Sequence, residues 1–215
     1  MTARAAVAAI LACATLAVGC GSKAPDYQSL WTTSGTTTST PIRANPVPLG
    51  KYLEDEGVRA EPVAPDKLTD LTVSIPTPPG WSKQKNPKLP PTTLVIGKGD
   101  KFPRAILMVL KLSGDFDVGE AVTHSVVDLQ LTPNFRQLDG STADFDGFKS
   151  EMVQGSHDLD GQRVHSWFRM VIPTGSPPAN QRYLVQLSIV TLADQAAKQA
   201  ADVEAIMKGF TVAAK

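Results

Sequence analysis

Histidine, aspartate, serine and cysteine are the residues of this chain whose chemistry could define a site. The histidines are His124, His157 and His165. Imidazoles are the side chains best suited to metal ligation or proton transfer near neutral pH. His157 and His165 flank Asp160-Gly161, a dipeptide suited to a two-residue type I′ hairpin. A turn there pairs Leu159 with Gln162, Asp158 with Arg163, His157 with Val164 and Ser156 with His165. Neighbouring strand positions point to opposite faces, so His157 and His165 cannot share a metal. The same register sets Asp158 against Arg163, a favourable cross-strand charge pair. His124 falls between the apolar positions of an expected helix and reads as a solvated or helix-edge side chain. Asp139, Asp144 and Asp146 lack the loop pattern of a calcium site and read as solvated turn carboxylates. No serine sits in a G-x-S-x-G elbow. Gly97-x-Gly99 lacks the strand and helix context of a dinucleotide site. No catalytic residue, metal or cofactor is expected.

Cysteine is different. The chain has two, Cys13 and Cys20. Arg4 precedes the apolar run AAVAAILACATLAVGC, which spans Ala5 to Cys20. A basic tip, an apolar core of about 7–15 residues and then small side chains is the layout of a secretory leader. The core is too short to span a bilayer, which takes about 20 apolar residues. Ala17-Val18-Gly19 leads straight into Cys20, and this resembles a bacterial lipobox. The family of signals more often has Leu three before the cysteine; here that position is Ala17, with Leu16 one earlier. The resemblance implies a diacylglycerol on the Cys20 thiol, cleavage just before it, and acylation of the new amine. Each buried methylene adds ~0.8 kcal/mol of membrane affinity, so two or three chains would anchor the protein stably. Residues 1–19 are then a lipoprotein signal peptide. The mature protein sits lipid-anchored on the extracytoplasmic face of the cell membrane. The folded part keeps no thiol, hence no disulfide and no cysteine nucleophile.

About 195 residues remain after cleavage, enough for one domain and a tail. Lysine and arginine total 21, as do aspartate and glutamate, so formal net charge is zero. That argues against nucleic acid, which needs a basic field. The stretch 20–48 is rich in Thr, Ser and Pro after Cys20, cannot bury a core, and reads as a disordered tether. It is either a passive spacer or a tract for O-glycosylation.

Order is expected over 49–215. Leu49, Tyr52 and Leu53 have helical spacing, with Gly57 placed to end the helix. Leu71, Val73 and Ile75 alternate as in a half-buried strand. The proline-rich stretch 82–91 reads as a loop; its Lys83, Lys85 and Lys88 are either solvated or face anionic headgroups or a wall polymer. Strands follow at 93–97 and 105–112, the second apolar enough to be central. A helix is expected over 118–130, capped by Asp117 with Glu120 three residues on. Strands at 135–142, 151–159, 162–172 and 182–192 precede a helix over 193–209. This order is α+β, an antiparallel sheet flanked by helices. Trp81, Trp167, Phe168 and Tyr183 are the large amphipathic side chains. Most belong to the core, but Trp81, Trp167 and Tyr183 are candidates to line a ligand cleft between sheet and helix.

Three long runs carry a resemblance over nearly the whole mature chain: PVPLGKYLEDEGV with EPVAPDKLTDLTVSIPTPPGW, then STADFDGF, then PTGSPPANQRYLVQL. They are similar to the LpqN/LpqT family of actinobacterial lipoproteins. The resemblance implies a Mog1/PsbP-like fold and a place in the mycolate-rich envelope. It supplies no catalytic residue, and only Cys20 maps onto a defined family role. With the anchor, the tether and no catalytic constellation in the sequence, the function expected is a non-catalytic binding or interaction module, for a mycolate-type glycolipid or an envelope protein. The alternatives are a structural or surface-antigen lipoprotein recognised through its acylated N-terminus, and a hydrolase of envelope esters or glycans.

Overall fold

The computed structural model describes residues 46–215. Cys20, the leader and most of the tether lie outside the described residues.

Strand β5 (Arg104–Ser113) is the spine of the sheet. Its near-continuous apolar run is covered on both edges, as expected of a central strand. On one side β9 (Arg182–Leu192) pairs with it antiparallel along almost its full length. On the other, β4 (Leu94–Gly97) takes its first half and β1 (Arg59–Pro62) its last. Beyond β4 lies β3 (Ser82–Gln84). Beyond β9 come β8 (Gln162–Val171), β7 (Ser150–Leu159) and β6 (Arg136–Ser141), giving eight strands. A two-stranded ribbon pairs β2 (Leu71–Ser74) with β10 (Thr211–Ala214).

The Asp160-Gly161 hairpin closes in the expected register, from Leu159–Gln162 through Ser156–His165. Asp160 and Gly161 have φ of 51° and 75°, the left-handed pair that a type I′ turn requires. Asp158 and Arg163 meet at 3.2 Å.

Period-2 alternation splits the apolar side chains between two faces. On one face Ala105, Leu107, Val109, Val185, Leu187 and Ile189 pack under the ribbon and α4 (Ala196–Gly209). On the other, Leu112, Phe168, Met170 and Leu184 pack under α1 (Leu49–Asp55), α2 (Val118–Thr123) and α3 (Val127–Gln130). The architecture is the expected α+β: one antiparallel sheet with helices on both faces.

Three local expectations change. The helix over 118–130 divides into α2 and α3, with His124, Ser125 and Val126 between them. Asp117 does cap α2, accepting from the Glu120 amide at 2.8 Å. At the break, His124 Nδ1 faces the Val47 carbonyl and the Ser125 hydroxyl donates to Glu151. The stretch holding β3 was expected as loop, and neither β1 nor β10 was foreseen. All four residues of β1 are exposed, so it shows no burial alternation; pairing with β5, far along the chain, makes it a strand.

Candidate functional site

The second face carries a cavity of about 500 Å³ between α1, α3 and the sheet. That lies in the ordinary range of ligand sites, about 300–1,000 Å³. Its floor is three adjacent strands: Met108 and Leu110 on β5, Leu184 and Gln186 on β9, Phe168 and Met170 on β8. Register brings these together, since Met108 pairs with Gln186 and Gln186 with Met170. Leu49 and Leu53 of α1 and Leu129 of α3 form the walls. Glu54 and Asp128 contribute to the lining and are exposed.

The inner end is polar. Ser125 lines the cavity and donates its hydroxyl to Glu151 Oε2 at 2.7 Å. Glu151 is 1% exposed, a carboxylate buried within the fold. His124 is next to Ser125 in the chain but cannot serve it as a base. Its ring stacks on Tyr52 at 4.6 Å, with Nδ1 2.7 Å from the Val47 carbonyl and Nε2 3.3 Å from Glu120. His124 is therefore buried, not solvated: the docking of α1 covers it, and no helix pattern could reveal that.

The other histidines are buried as well, on opposite faces as the register requires. Burial lowers the His157 pKa, with the Arg163 charge acting the same way. Burial depresses His165 to about 4. Gln154 Nε2 lies 2.8 Å from His165 Nε2, an arrangement that suits a neutral ring accepting from the amide. Among the described residues no group of three His, Cys, Asp or Glu could hold a metal.

Trp81, Trp167 and Tyr183 do not line this cavity. All three are buried in the core of the opposite face. The Trp81 indole donates to Asp202 of α4 at 2.9 Å, and the Tyr183 phenol to Asp70 at 2.7 Å. Trp167 borders a void of about 20 Å³ beside His165, too small for a ligand. Amphipathic rings marked the larger core, whereas the cavity is floored mainly by methionine and leucine. The available signal was the phase of the strands, as on β9, where Leu184, Gln186 and Ser188 share one face. Lys83, Lys85 and Lys88 are exposed. Lys85 borders a separate groove of about 470 Å³ with Pro87, Pro90 and Pro91.

Residues 45–213 match the protein family described as "Probable lipoprotein LpqN". The chain belongs to the LpqN lipoprotein family. Among its relatives is lipoprotein LpqT of Mycobacterium tuberculosis H37Rv, 58% identical over 213 residues, covering 97% of this chain and 94% of that protein. LpqT of Mycobacterium leprae is 53% identical over 208 residues, 97% of this chain and 95% of its own. A solved structure of LpqN, a protein involved in cell envelope biogenesis of M. tuberculosis, superposes with a TM-score of 0.64 at 20% identity. It covers 77% of this chain and 97% of that one. That likeness shows that the two proteins share a fold. No described helix of this LpqN-family chain is long and apolar enough to cross a membrane.

Proposed function

We propose that this chain is a membrane-anchored, non-catalytic binding module of the cell envelope. Residues 1–19 direct export, Cys20 carries the acyl chains, residues 20–48 form the tether, and the domain 49–215 stands off the extracytoplasmic face. The cavity under α1 and α3 holds the alkyl part of an envelope glycolipid. The observation that carries this reading is the cavity itself, with its floor of Met108, Leu110, Phe168, Met170 and Leu184. Thioether side chains adapt to chains of different shape. A binding role is further supported by the engagement of His124 with Val47 and Tyr52, away from the Ser125 hydroxyl. The envelope context is supported by family membership and by the involvement of M. tuberculosis LpqN in cell envelope biogenesis.

Native mass spectrometry tests this on the protein mildly extracted from its host membrane. Wild type should carry a bound lipid, and Leu110→Trp, which fills the floor, should lose it. A ligand-free mass in wild type, or a lipid retained by the tryptophan variant, would overturn the reading.

A further inference from the structure

Gln186 is a polar side chain in an apolar floor. It lies mid-strand on β9, with Met108 and Met170 as its cross-strand partners. It is half-buried and lines the cavity. No hydrogen bond from another described residue reaches its amide. The other polar groups of the lining are in different situations. The Ser125 hydroxyl is already committed to Glu151. Glu54 and Asp128 are exposed, and neither makes an ion pair among the described residues.

An alkyl chain laid over Gln186 strips water from its amide. A buried amide left without a partner is destabilising, so a bare hydrocarbon is a poor occupant. The side chain offers two N–H donors and one carbonyl acceptor, and a ligand that supplies an acceptor at that point satisfies a donor while keeping apolar groups on both methionines. An acyl carbonyl does this, with an acceptor oxygen and no donor of its own. The two exposed carboxylates meanwhile disfavour an anionic head through like-charge repulsion.

We propose that Gln186 reads the carbonyl of an uncharged acyl ester, donating from Nε2 to the carbonyl oxygen, while Glu54 and Asp128 turn away free fatty acids. This rests on the cavity being a lipid site. The site then selects neutral acyl esters over ethers and alkanes of equal length.

Titration calorimetry on the chain without its leader and with Cys20→Ser tests this. Three probes are used below their micellar concentrations: 1-monolauroylglycerol, its ether analogue 1-O-dodecylglycerol, and laurate. Wild type should bind the ester about tenfold more tightly than the ether, the effect of one hydrogen bond, and more tightly than laurate. Gln186→Leu should bring the ester down to the ether's affinity and leave the ether unchanged. Gln186→Met, matching its neighbours in shape, should behave alike and guards against a folding defect. Equal wild-type affinity for ester and ether, or a preference surviving in both variants, would overturn the role of Gln186. Laurate binding as tightly as the ester would overturn the role of the carboxylates. Wild type binding none of the three would overturn the lipid reading along with both.

Discussion

The Tyr183 phenol donates to Asp70 Oδ1 at 2.7 Å, joining the start of β9 to the loop before β2 across 113 positions of chain. The Asp70 carbonyl accepts from the Ser176 and Lys215 amides, so three distant segments converge on one residue. Burial, with the Asp70 hydrogen bond and charge, raises the Tyr183 pKa from 10.0 to about 12. The phenol therefore ionises more readily in the unfolded chain. Its contribution is complete below pH 10 and lost as pH rises from 10 to 12. Tyr183→Phe should lower stability by about 1 kcal/mol at pH 7 and flatten the alkaline limb of a urea-unfolding series. An unchanged alkaline limb would show that the bond carries no stability.

Gly175 lies against the same carboxylate. A Cβ there would stand 2.0 Å from Asp70 Oδ2, and Asp70 is held by Tyr183 and cannot swing freely. Gly175→Ala should cost about 1–3 kcal/mol, the usual effect of overpacking. Gly50→Ala is the control, since nothing lies within 4 Å of its Cβ. Equal unfolding midpoints for the two variants would refute the close approach.

His165 should make the fold acid-sensitive. Its pKa is lowered from 6.5 to about 4 by burial, so the unfolded chain takes up the proton first. The stability is present above pH 6.5 and lost as pH falls towards 4, roughly 2 kcal/mol between pH 7 and pH 5. His157 is lowered too and acts in the same direction. A His165→Gln variant should lose most of this slope in denaturant titrations at pH 7, 6 and 5. A variant with the wild-type slope would assign the sensitivity elsewhere.

The His124 ring fastens the chain entering α1 to the α2–α3 break through Val47 and Tyr52. His124→Ala should loosen this corner by about 1–3 kcal/mol. Hydrogen exchange should rise first at the amides of α1, before the sheet. Uniform exchange across the domain would mean that α1 does not open separately.

For the anchor, intact mass of the protein from its host membrane should exceed that of the polypeptide beginning at Cys20 by a multiacyl increment. A Cys20→Ala variant should lack that increment. An unmodified wild-type chain cut elsewhere would make the protein a secreted one.

Much of the architecture was legible because its causes are local. Asp160-Gly161 specifies a turn whose left-handed backbone few other dipeptides adopt, and that turn alone sets every pairing from Leu159–Gln162 to Ser156–His165. The apolar run of β5 marks a central strand, paired along both edges, and Asp117 marks a helix start through a bond three residues long.

Other features depend on surfaces that meet only after folding. β10 becomes a strand by pairing with β2, as when Val212 meets Val73. His124 is buried because α1 covers it. Which side chains share a strand face follows from residue order alone, because alternation is a property of the backbone. Assembly of the layers was needed to put Trp81, Trp167 and Tyr183 in a core and Met108, Gln186 and Met170 under a cavity. The physical reason is packing: α4 and the β2–β10 ribbon close tightly on one face, and the short helices α1 and α3 leave space on the other.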